Sequence, residues 1–156
     1  MEPGRVEPRR SSVLDEESTD ALQGALAAEH AALWCYGLAV AFLGPQNRAQ
    51  AREDAEAHRT LRAAVETTLS QIGARAVSAQ PAYAVPQPVV DAASAAALAV
   101  VAETDALGAW RSVIERSTDR PLRQAALDAM TQGTLRCARW RVVVGSPPAI
   151  PLFPGL

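Results

Sequence analysis

The sequence predicts an all-α fold, a bundle of four helices whose second and third members are joined by a long, Pro-rich crossover. Three observations predict it. Apolar residues recur at steps of three and four in four separate stretches. Those stretches are bounded by capping residues and by Gly or Pro. One connection, residues 74–90, is much longer than a turn and contains Pro81, Pro86 and Pro88.

Residues 1–17 are rich in charge, Pro and Ser and read as a mobile N-terminal tail. The bundle is expected over 18–145. Its first helix, about 19–43, starts at Ser18, Thr19 or Asp20, all suited to a cap or first turn. Its stripe is Leu22, Leu26, Glu29, Leu33, Tyr36 and Val40, and Gly44-Pro45 stops it. The second helix, about 47–73, begins with Asn47 as cap and Gln50 three residues on, a capping-box pattern. Its stripe is Ala51, Ala55, His58, Leu61, Val65, Leu69 and Ile72, with Gly73 at its end.

The crossover interleaves Tyr83, Val85 and Val89 with its prolines, a pattern suited to lying on a surface. Extended at about 3 Å per residue it reaches roughly 50 Å. A helix of about 25 residues is roughly 38 Å long. The segment can therefore run the length of the bundle. The third helix, about 91–117, is capped by Asp91, and its stripe is Ala96, Val100, Glu103, Leu107, Trp110 and Ile114. Ser117, Thr118, Asp119 and Pro121 mark a turn and a new start. The fourth helix, about 120–144, has a blurred stripe, with Leu127, Met130, Thr131, Thr134 and Cys137 facing inward and Asp128 at its edge. Residues 146–156 form an apolar, Pro-rich extension. Left in water it is costly, so it is expected to pack on the bundle or on a second subunit.

Composition agrees with this reading. The chain has 156 residues, the size of one domain. With 49% hydrophobic but only 4% aromatic residues, its core must be built from Ala, Leu and Val. The formal net charge of −2 argues against a nucleic-acid binder that relies on a positive field. The N-terminus lacks the apolar core of a secretory signal, and the apolar run Ala31–Leu43 is too short to span a bilayer. A cytoplasmic protein is expected, with no membrane partner. Cys35 and Cys137 are then thiols, most simply core fillers, whose mutual contact the sequence leaves open.

Three ionisable residues lie inside apolar stripes. Unpaired buried charge is expensive, so Glu29, His58 and Glu103 should meet each other or a ligand. Glu29 precedes Pro45 by 16 residues and His58 follows it by 13. Glu103 precedes Thr118 by 15 and Asp128 follows it by 10. With a crossover topology all four come out near mid-bundle. His30, beside Glu29, points off the stripe and is expected to be exposed. Trp34, Trp110 and Trp140 read as core or interface anchors. Arg136, Arg139 and Arg141 form either an anion patch or a set of charges favourable to the helix C-terminus.

The stretches Ala28-Glu29-His30-Ala31-Ala32, Ala57-His58-Arg59, Tyr83 to Val89, Ala138-Arg139-Trp140-Arg141 and Phe153-Pro154-Gly155-Leu156, in that order, resemble an actinobacterial family of ferritin-like domain proteins of unknown function. The resemblance covers roughly residues 20–156. It implies a ferritin-like four-helix bundle and carries over no activity. Metal-binding bundles of this kind take one Glu from each of two helices and Glu-x-x-His from each of the other two. Glu29 and Glu103 match the lone glutamates, and His58 matches one histidine. Ala55 stands where its glutamate should be. Asp128 and Thr131 stand where the last pair should be, so this is a degenerate di-iron pattern.

Three readings follow. The polar residues form a structural cluster in a non-enzymatic structural or interaction protein, with no cofactor. Alternatively Glu29, His58, Glu103 and Asp128 hold a single Fe or Mn ion in a metal-binding protein or metal-dependent oxidoreductase. Finally, these groups with Tyr36, Trp110 and Trp140 line a small-molecule or peptide pocket. A homodimer is expected, through an Ala-rich helix face or the C-terminal extension.

Overall fold

The structure is a computed structural model and describes residues 13–156. Most of the expected N-terminal tail, residues 1–12, lies outside the described residues. The helices are α1 (Glu16–Ala39), α2 (Pro45–Gln71), α3 (Ala92–Arg116) and α4 (Arg120–Val143), with no strand among the described residues.

Helix ends follow local chemistry, with two departures from expectation. Asp15, not Ser18, caps α1, accepting a 2.8 Å hydrogen bond from the Ser18 N–H, and Glu16 and Glu17 fill the first turn where the dipole favours them. Gly44-Pro45 does separate α1 from α2, but Pro45 is the first residue of α2 and Gly44 its cap, so Asn47 lies inside the helix. Proline suits that position because its fixed φ is already helical and the first turn needs no donor there. Asp91 caps α3 as expected and forms a reciprocal box with Ser94. Helices α2 and α4 both end in a left-handed glycine. At Gly73 (φ 74°) the Ala74 N–H reaches the Leu69 carbonyl, and at Gly145 (φ 65°) the Ser146 N–H reaches the Arg141 carbonyl.

The hydrophobic clusters fix the topology. Leu22 and Leu26 near the start of α1 pack with Leu69 near the end of α2, Trp110 and Val113 near the end of α3, and Leu122 near the start of α4. At the opposite end Ala39, Leu43, Ala51, Ala95, Ala99 and Trp140 come together. Helices α2 and α3 therefore run parallel, which a short turn cannot achieve, and the crossover travels the length of the bundle. Its Val85 and Val89 cover a third cluster, Ala32, Cys35, Leu98 and Ala102, along the α1–α3 seam. Burying each of the large aliphatic side chains contributes about 1.5–3 kcal/mol. Helix α3 is long and apolar enough, by length and composition alone, to cross a membrane, with a mean hydropathy of 1.3. Here its apolar face packs against α1 and α4.

Two expectations about packing change. The inward face of α4 is Leu122, Ala126, Ala129, Gly133, Arg136, Cys137 and Trp140, whereas Leu127 and Thr131 are exposed. Small residues occupy the seam because α3 approaches closely: a Cβ on Gly133 would stand 3.2 Å from Leu107 Cδ2. The C-terminal extension packs only in part. Gly155 (φ 86°) lies on α3, where a Cβ would meet the Leu107 carbonyl at 3.0 Å, and Arg141 Nε donates to the Pro148 carbonyl at 2.8 Å. Leu152, Phe153 and Leu156 remain largely in solvent.

Candidate functional site: a buried carboxylate–histidine network

Glu29, His58 and Glu103 converge at mid-bundle, each fully buried. The imidazole of His58 lies between the two carboxylates. Nδ1 is 2.6 Å from Glu29 Oε2, and Nε2 is 3.0 Å from Glu103 Oε1. A neutral imidazole has one donor and one acceptor, so two carboxylates facing its two nitrogens demand that both carry protons. Burial by itself pulls the imidazole toward neutrality. The hydrogen bonds to Glu103 and Glu29, with their charges, outweigh it and push His58 up to about 9. Burial likewise opposes charge on Glu103, but the hydrogen bond from His58, the His58 and Arg136 charges and the hydrogen bond from Tyr36 hold its carboxyl below the usual value.

Surrounding side chains complete the network. Trp110 Nε1 donates to Glu29 Oε1 at 2.7 Å, so both oxygens of that carboxylate are engaged. Tyr36 donates to Glu103 Oε1 at 2.7 Å. Arg136, from α4, places Nε 3.0 and 3.2 Å from the two Glu103 oxygens. A second centre continues toward the α1–α2 turn. Asp54, buried on α2, accepts from Trp140 Nε1 at 2.8 Å, from an Arg139 Nη at 3.0 Å and from Gln50 Nε2 at 3.0 Å. Tyr36 spans the two centres, with its hydroxyl also 3.5 Å from Asp54 Oδ2. The charges balance: Glu29, Glu103 and Asp54 are matched by His58, Arg136 and Arg139.

Asp128 does not join this assembly. It is exposed, on the face of α4 turned away from the bundle, and accepts a 2.9 Å hydrogen bond from Gln124. The blurred stripe of α4 misplaced it, because the seam uses Ala126 and Ala129 where hydrophobicity points to Leu127, while Met130 packs partly buried against the core as expected. The network members missed as such were Asp54 and the arginines. Asp54 lies four residues before His58, hence on the same helical face, a signal that was available. Arg136 and Arg139 were read as an anion patch or dipole charges, but each is bonded to a buried carboxylate.

A resident metal does not fit the residues as arranged. It would need a free ring-nitrogen lone pair and carboxylate oxygens converging on one point at about 2 Å. Here Glu29 and Glu103 hold different nitrogens of one ring. The guanidinium of Arg136 stands against the carboxylate that a metal would need. No group of three His, Cys, Asp or Glu side chains among the described residues is placed to hold an ion. The thiols are unsuited to nucleophilic chemistry: burial pushes Cys35 up to about 11 and raises Cys137 as well. Both are free, Cys35 against Leu98 and Ala102, Cys137 beside Thr104.

With the geometry in place, the chain can be set beside known proteins. The family model described as Domain of unknown function (DUF4439) matches residues 21–156. No curated protein matches the chain. Among solved structures it is similar to a conserved hypothetical protein, rv2844, from Mycobacterium tuberculosis, at 36% identity over 88% of this chain and 97% of that one, with a TM-score of 0.80.

Proposed function

We propose that this chain, which belongs to the family described as Domain of unknown function (DUF4439), is a non-enzymatic structural or interaction protein of ferritin-like shape. One observation carries the reading: both ring nitrogens of His58 are bonded to carboxylates from two other helices. The histidine thereby fastens α2 to α1 and α3, and Arg136 brings in α4. A catalytic histidine needs a nitrogen free to accept or release a proton at substrate. This one has both occupied and fully buried. The crossover topology, with carboxylates and a histidine at mid-bundle, supports descent from a metal-binding bundle. In this chain Arg136 and Trp110 supply the cation and the donor that stabilise the remaining carboxylates.

Growth with iron or manganese followed by a metal assay tests the reading. The expected result is no stoichiometric metal, together with a large loss of stability in His58→Ala. Stoichiometric metal that disappears in His58→Ala would overturn it. The interaction role is assigned to the C-terminal extension, whose Leu152 (91% exposed), Phe153 (68%) and Leu156 (79%) form an unsheltered apolar end. It is proposed to join a second copy of the chain. Light scattering should show a dimer that becomes a monomer when residues 147–156 are deleted. An unchanged mass would refute that role.

A further inference from the structure

We propose that the outward face of α4 pairs antiparallel with the same face of a second copy of this chain, each copy's Asp128 meeting Arg139 of the other. This pairing rests on the dimer read above for the C-terminal extension and gives that dimer a second surface. At mid-helix α4 turns small residues inward: Ala126, Ala129 and Gly133 line its seam. Several larger aliphatic side chains point the other way. Leu127, Leu135 and Val142 are 51%, 47% and 69% exposed. With Thr131 and Ala138 they follow one another at steps of four, four, three and four, which keeps all five on one side of a helix. At about 100° per residue, that side lies opposite Ala126, Ala129, Gly133 and Trp140.

A surface helix of a soluble domain keeps its outer face polar, and one that is apolar on both faces is covered on both. The extension does not cover this stripe. It is held at Pro148 by Arg141 Nε and lies on α3 at Gly155. It does adjoin the stripe, which ends at Val142 and the 46%-exposed Val143, just before the extension begins. The stripe spans 16 residues, a face about 24 Å long and roughly 10 Å wide. That is well short of the roughly 800 Å² that each partner of a stable dimer buries. The exposed Leu152, Phe153 and Leu156 beside it supply further apolar area, so the two surfaces suit one interface.

Self-complementarity selects a second copy as the occupant. In an isologous antiparallel pair, residue i faces residue j and j faces i. Setting Leu127 against Val142 of the other copy also sets Thr131 against Ala138, and Leu135 against Thr134 beside the two-fold axis. Asp128 and Arg139 stand on the same flank of the stripe, and in such a pair each flank meets its own equivalent. Each Asp128 then lies within about 3 Å, along the helix axis, of Arg139 in the other copy. Both groups are available. Asp128 is exposed and bonded within the chain to the neutral Gln124. Arg139 has a side chain 47% exposed and gives Asp54 one Nη. A parallel pair would instead set Arg139 beside Arg141 of the other copy, like charge on like. Charges at an interface rim fix orientation in this way more than they add affinity.

The test is the dissociation constant of the dimer, measured by sedimentation of the full chain and its variants. Leu135→Glu sets two carboxylates across the two-fold axis and should weaken the dimer by on the order of 100-fold, and Asp128→Arg by about tenfold. Both positions are exposed, so helix content should match the parent. Leu135→Cys should give a disulfide-linked dimer on mild oxidation, and Thr67→Cys, on the outer face of α2, should not. The native thiols are buried and stay out of this reaction. A dimer of parental strength in both charge variants, or equal cross-linking through positions 67 and 135, would overturn the pairing. If that dimer is still lost when residues 147–156 are deleted, the role of the extension stands without α4. Loss of the dimer in Leu135→Glu, with an unchanged mass on deletion, supports the pairing and refutes the extension alone. A parent that stays monomeric at about 100 μM overturns both and leaves the stripe to a different protein.

Discussion

Two histidines, one on α1 and one on α2, show opposite solutions to burial. His58 has both nitrogens engaged by carboxylates, and every charged group around it is paired. His30 has one nitrogen engaged by a backbone carbonyl and the other buried with no hydrogen-bond partner among the described residues. A completed network holds helices together, because each member has more to lose than to gain by turning to a ligand. The difference lies within one small domain, and it departs from the expectation from sequence that His30 would lie in solvent.

The largest effect is expected from His58→Ala. It leaves Glu29 and Glu103 buried without their shared cation, and a cost of about 3–5 kcal/mol is expected by chemical denaturation. A cost within 1 kcal/mol, roughly that of an ordinary surface change, would refute the clamp. Asp54→Ala should follow at about 2–3 kcal/mol, since it strips the acceptor from Trp140 Nε1 and unpairs Arg139. Gly155→Ala should cost about 1–2 kcal/mol locally, through its left-handed backbone and a Cβ forced against the Leu107 carbonyl. It should also speed proteolysis of the extension, with the bundle's own unfolding midpoint little changed. Arg62→Ala should lie within about 0.5 kcal/mol of the parent, because no hydrogen bond through its Nε is lost.

Acidity supplies another prediction. His58 is raised in the folded state to about 9, so its contribution is fully present below its ordinary value near 6.5 and is lost as pH rises through about 9. Glu103 is lowered, so its contribution is present above its ordinary value and is lost as pH falls through the folded one. Stability should therefore crest between these limits, and urea midpoints taken across pH should fall on the alkaline side. His58→Gln should flatten that alkaline fall. A fall of equal steepness in the variant would assign it to other groups.

Much of the fold was legible because its signals are local and periodic. The stripes, Asp91, Gly73 and the Pro-rich crossover each report on neighbouring residues. Glu29, His58 and Glu103 were legible too, since a charge inside an apolar stripe must be answered from another helix. What was hidden depended on interhelical distance. The α4 seam uses Ala126, Ala129 and Gly133, whose small size matters only once α3 is near, and hydrophobicity alone points to the exposed Leu127. Asp128 was misplaced for that reason. His30 was misread because the residue that covers it, Val77, lies 47 positions away in a segment without periodicity.

The charge on His58 decides between a closed clamp and an open site. In metal-free protein, its two ring ¹⁵N resonances should both report attached protons at neutral pH and keep them until about pH 9. A bare nitrogen on His58 at neutral pH would contradict the account, because a ring facing two carboxylates with one lone pair exposed is a site awaiting a ligand and not a closed clamp.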